Sequence, residues 1–161
     1  MKNILLLCTM LFAFVNPKVV HGANEKDEIG IIDNSITQFL LKEIDYSKIK
    51  PINISIDVLK KYTNKYTNNK SERENLLEII NSGKYSDNFI AFEKTNFVFF
   101  DSIVNKKIEK LEGKSDIPDS TYKIVYSGIG TNGDLISVDV ILMNLDKKGY
   151  RIFASFQNLL Q

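Results

Sequence analysis

Between Thr121 and Phe156 the sequence alternates with a period of two in three successive runs, and few folds accommodate that pattern. Tyr122, Ile124 and Tyr126 alternate with Lys123 and Ser127; Ile136, Val138, Val140 and Leu142 alternate with Ser137 and Asp139; Tyr150, Ile152, Ala154 and Phe156 alternate with Arg151 and Ser155. One parity then forms an apolar face and the other meets water, as in antiparallel strands packed on one side. Asn132-Gly133, between the first two runs, predicts a type I′ turn, because both residues tolerate positive φ. Asp146-Lys147-Lys148-Gly149 predicts a type I turn followed by a left-handed glycine bulge. The expectation is a three-stranded antiparallel meander.

Gly128-Ile129-Gly130-Thr131-Asn132-Gly133 matches the glycine spacing of a dinucleotide-binding loop. Such a loop must open a helix whose N-terminal amides meet the pyrophosphate. Leu135 to Met143 alternates and is rich in β-branched residues, so the motif is expected to lie on a hairpin without nucleotide chemistry.

At the start of the chain, Lys2, the apolar run Ile4 to Val15 and Val20-His21-Gly22 have the layout of a secretory signal peptide over residues 1–22, with the mature chain beginning at Ala23. The apolar run is about a dozen residues, against the ~20 that span a bilayer, so no integral membrane segment is expected after cleavage. Cys8 and His21 are the only cysteine and histidine, and both fall in this leader. Their loss removes cysteine nucleophiles, histidine triads, the common zinc sites and any disulfide. No metal or other cofactor is expected. Of 21 basic residues Lys2 and Lys18 go with the leader, leaving 19 against 20 acidic residues and no electrostatic footprint for nucleic acid.

The remainder, residues 23–161, has the composition of one globular domain, at 43% hydrophobic and 25% charged. Ile29, Ile32, Ile36, Leu40 and Ile44 predict an amphipathic helix over 28–44, and Ile52, Ile54 and Ile56 a short edge strand or extended crossing. Asp57 caps a predicted helix with Val58, Leu59, Tyr62 and Tyr66 on one face. Ser71-Glu72-Arg73-Glu74 fits a capping box, and Gly83 ends the helix that follows. Phe97, Phe100, Val104, Ile108 and Leu111 recur at helical spacing, predicting a further helix closed by Gly113, with Lys106, Lys107, Lys110, Lys114, Glu109 and Glu112 as its solvated face. The fold class is α+β: N-terminal helices packed on a C-terminal three-stranded antiparallel β-meander. In outline this order resembles the cone-shaped NTF2-like and cystatin-like domains, a likeness of fold that implies no activity.

The function expected is that of an exported, non-enzymatic binding protein acting through a protein interface, as an inhibitor or immunity-type protein. Phe99, Tyr122, Tyr126, Tyr150 and Phe153 are the candidate binding residues, as aromatic anchors, although the three tyrosines share the parity assigned to the core. A carrier would instead hold a small apolar ligand between the sheet and the Phe89 to Phe100 segment, where aromatic residues are densest. A carboxylate hydrolase would need a pair such as Asp134 with Asp139 or Asp101 with Glu109. Asn53-Ile54-Ser55 and Asn69-Lys70-Ser71 are sequons that matter in a glycosylating host.

Overall fold

The computed structural model describes residues 24–67, 69–111 and 121–160, and of Tyr66 the backbone only. The expected leader and its cleavage site, Glu112, Gly113 and Lys114, and the connection 115–120 lie outside these residues, as does the side chain of Tyr66.

The first helix, α1, spans Glu25–Leu40 and opens with Glu25, Asp27 and Glu28 in its first turn, where carboxylates favour the helix dipole. Its stripe Ile29, Ile32, Ile36, Phe39 and Leu40 is buried, as the periodicity predicts. The chain then forms α2 (Tyr46–Ile49), a 3₁₀ turn (Lys50–Ile52) and α3 (Ile56–Tyr66). Ser55, not Asp57, caps α3 by accepting the Val58 N–H. The next helix, α4 (Lys70–Asn81), begins two residues before the expected box, because Asn69 accepts the N–H groups of Ser71 and Glu72 at 2.9 and 3.3 Å. Gly83, at φ 76°, follows it as expected, and a short α5 (Tyr85–Phe89) leads to the 3₁₀ turn Ala91–Glu93.

The helices meet an antiparallel sheet of four strands, not three, in the order β1 (Phe100–Lys110), β2 (Thr121–Gly130), β3 (Leu135–Met143), β4 (Arg151–Leu159). The additional strand is β1, which replaces the helix predicted around Phe97 to Leu111. Two bulges break the period of two that would have marked it as a strand. The register steps from Phe100↔Gly130 to Ser102↔Ile129, and from Ile103↔Gly128 to Asn105↔Ser127, so Asp101 and Val104 are extra residues. Each bulge stretches the spacing of inward positions from two to three. Phe100, Ile103 and Lys106 therefore share a face three residues apart, while Val104, which the helical stripe needed on the same face as Phe100, is a bulge residue at 74% exposure and Ile108 is 43% exposed.

Both turns depart from expectation. In the first, Gly133 is left-handed at φ 86° while Asn132 is not, which rules out a type I′ turn; Gly133 N–H meets Gly130 C=O and Gly130 N–H meets Asp134 C=O, each at 2.8 Å. In the second, Lys147 itself takes φ 60°, which no central residue of a type I turn adopts, and Gly149 lies at 116°. The parity expected for β4 fails at its own bulge. Ile141 pairs with Ala154 but Leu142 with Ile152, so Phe153 is the extra residue, Ser155 is buried, and Phe156 is 41% exposed.

The core lies between α1 and the sheet. Ile124, Tyr126, Ile136, Val138, Val140, Leu142 and Ile152 are fully covered, each apolar side chain contributing ~1.5–3 kcal/mol by its removal from water. At one end the Phe39 ring is surrounded by Phe92, Phe99 and Phe97 at 5.1, 5.3 and 6.0 Å. The outer edge of β4 is covered: Ile54 N–H donates to Ile152 C=O at 2.9 Å, and Ile90 bridges to Ser155. Asn53, which bridges to Ile152, and Ser55 keep the extended character expected for 52–56, while Ile52 ends a 3₁₀ turn and Ile56 begins α3.

Candidate functional site

Asp33 interrupts the apolar stripe of α1, four residues after Ile29 and three before Ile36, and its side chain is drawn into the protein at 7% exposure. A carboxylate there requires partners. Tyr126, from the middle of β2, donates its hydroxyl to Oδ1 at 2.8 Å, and Lys106, from β1, reaches Oδ2 at 2.6 Å. Burial, and then the Asp33 charge, raises the Tyr126 hydroxyl well above the ordinary tyrosine range, so it remains a donor. Thr37, one turn further along α1, sits close enough to oppose that rise, yet its buried Oγ1 forms no well-aligned hydrogen bond among the described residues.

Thr37 and Lys106 also line an open cleft of about 330 Å³ between α1 and β1, with Leu41, Ile103, Val104 and Asn105. The second β1 bulge shapes it. Gly128 lets β1 approach so closely that a Cβ there would stand 2.0 Å from the Ser102 carbonyl oxygen. The displaced Val104 is 74% exposed, the highest value among the large hydrophobic side chains described. An apolar knob, a concavity and a fixed ion pair thus lie side by side.

The residues singled out from sequence do not converge. Phe99 is half-buried among the rings around Phe39, with Lys42 Nζ 5.0 Å from its centroid. Tyr122 and Tyr150 form an edge-to-face pair at 5.4 Å near the start of α1, where the Tyr150 hydroxyl donates to Glu25. That hydrogen bond holds the Glu25 carboxyl below its usual range, while burial and Glu25 raise Tyr150. Tyr126 is the buried donor to Asp33, and Phe153 is half-buried at the β4 bulge, its carbonyl accepting from Tyr85 at 2.6 Å. Only Tyr126 borders the network behind the cleft. Asp33 escaped the sequence reading, although a carboxylate on the stripe between Ile29 and Ile36 was a visible signal.

The carboxylates considered for hydrolysis are engaged or scattered. Asp139 pairs with Lys123 at 2.7 Å, Asp134 accepts from Asn132 at 2.7 Å, Glu109 pairs with Lys107, and Asp101 is exposed. Gly128 to Gly133 runs from β2 into a turn and β3 follows, so no helix stands behind the glycine motif. Among the described residues no cluster of His, Cys, Asp and Glu is arranged to hold a metal ion, and no helix is long and apolar enough to cross a membrane. The Asn53 amide donates to the Tyr46 hydroxyl at 2.7 Å and is half-buried, while Asn69 is exposed at its helix cap. Comparison with family models, curated proteins and solved structures gave no match to the chain.

Proposed function

We propose that this chain is an exported, non-enzymatic binding protein of the inhibitor or immunity type, and that it engages a protein partner at the α1–β1 cleft. The observation that carries this reading is Val104, held out by a bulge at 74% exposure beside an open concavity. Bulges commonly re-aim side chains at functional positions, and a projecting apolar side chain beside an open cleft suits a protein surface better than an enclosed small molecule. The carrier reading is less favoured, since the Phe39, Phe92, Phe97 and Phe99 rings pack on one another where its ligand would sit. The export part of the reading rests on the leader-like sequence of residues 1–22, and the order of helices followed by an antiparallel sheet supports an arrangement of the NTF2-like or cystatin-like kind.

The test is purification from the exported fraction of the native host under mild crosslinking, with the wild type and Val104→Asp in parallel. A stoichiometric protein partner lost at least tenfold in the variant is expected. Equal recovery with both would remove the cleft from the interface, and a co-purified small molecule with no protein would favour the carrier.

A further inference from the structure

The two edges of the sheet differ. Ile54, Ile90 and the Gln157–Val98 hydrogen bonds cover β4, whereas β1 has no strand beside its outer edge among the described residues. Leu111 N–H bonds Thr121 C=O at 2.9 Å, and the register runs without a break from Asn105↔Ser127 to Lys110↔Tyr122. In an antiparallel ladder backbone groups point alternately toward and away from the neighbour. Those of Lys107 and Glu109 therefore point into the sheet, and those of Lys106 and Ile108 point out. Side chains alternate too: Lys106 and Lys110 turn toward α1, to Asp33 at 2.6 Å and Glu25 at 3.5 Å, with Ile108 between them. Lys107 and Glu109 stand together on the opposite face, where they pair with each other.

We infer that β1 is a self-association edge: a second copy of this chain adds its own β1 antiparallel to it, about a two-fold axis through Ile108. The charge order selects this register. With the axis at Ile108, Lys107 lies opposite Glu109 of the second copy, and symmetry repeats the pair, as a self-complementary two-fold interface requires. Ile108 faces Ile108 as a hydrogen-bonded pair, matching the outward direction of its backbone, and its 43% exposure is removed. Lys106 falls opposite Lys110 of the second copy, but Asp33 and Glu25 already balance both charges. Moving the axis to Lys106 would set Lys107 against Asn105 and Glu109 against Ile103, losing both ion pairs. An edge left without a neighbouring strand, as β1 is among the described residues, is a liability that pairing removes, and the ladder ends at the bulge at Val104, reaching the cleft at Lys106. The product is a continuous eight-stranded sheet. Because a single edge is a small interface, a dimer in the micromolar range is expected. The inference does not rest on the proposed partner at Val104, although Lys106 belongs to both surfaces.

Sedimentation of the purified protein over a concentration series tests it. The wild type is expected to double in mass; Lys107→Glu, at an exposed position, and Glu109→Lys, at a half-buried one, should each move the midpoint at least tenfold upward. An equimolar mixture of the two variants should recover dimerisation, since each then meets the opposite charge. In the wild type, amide exchange at Lys106 and Ile108 should slow as concentration rises. A wild type that stays monomeric into the high micromolar range, variants that dimerise unchanged, a mixture that fails to recover, or exchange at Lys106 and Ile108 independent of concentration would each overturn the inference.

Discussion

Asp33 joins three elements through one carboxylate: it is part of α1, accepts from Tyr126 on β2 and pairs with Lys106 on β1. Its removal strands two partners of different exposure. Tyr126 is fully buried and would lose its acceptor, while the Lys106 side chain is 40% exposed and is partly rescued by water. Asp33→Ala is therefore expected to cost about 3 kcal/mol of folding stability, the lower end for breaking a buried pair. Tyr126→Phe removes one charge-assisted hydrogen bond and leaves Asp33 with Lys106, so about 1.5 kcal/mol is expected. Urea denaturation of both variants measures this. Equal losses would contradict this ordering, and a loss below ~0.5 kcal/mol for Asp33→Ala would show that the network is peripheral to the fold.

At the scale of elements, the stretches readable in the sequence were those with an uninterrupted period. Ile136, Val138, Val140 and Leu142 alternate without a bulge, and all four are fully buried; α1 likewise keeps its stripe from Ile29 to Leu40. The failures within strands share one cause, since a bulge adds a residue that no period anticipates. In β1 two bulges removed the alternation that marks a strand, and in β4 one bulge moved Phe156 from the expected core to the surface. The candidate site was legible only as a charged residue out of place in α1, because the cleft depends on the unforeseen β1. Two glycine substitutions separate the roles of these elements. Gly128→Ala drives a Cβ against backbone at the bulged pair and is expected to cost more than 2 kcal/mol. Gly30→Ala, within α1 and with open space around it, is expected to gain about 0.5–1 kcal/mol. Thermal or urea midpoints decide; a neutral Gly128→Ala would show that β1 tolerates a shifted register.

Over the whole molecule, α1 is fixed along its length. Glu28 accepts the Tyr150 N–H at 2.8 Å near its start, Asp33 ties its middle, and the rings around Phe39 enclose its end. The sheet it lies on has one covered edge and, among the described residues, one without a neighbouring strand, and the cleft with Val104 opens beside the latter. Such anchoring leaves a preorganised surface, which lowers the ordering cost of binding. The most direct measurement of the binding account places a photo-crosslinking side chain at Val104 and, as a control, at Ile31, an exposed apolar position on α1 at 58%. In the native exported fraction, position 104 is predicted to capture one protein species near stoichiometry while position 31 captures little. Equal capture at the two positions, or none at 104, would contradict the account.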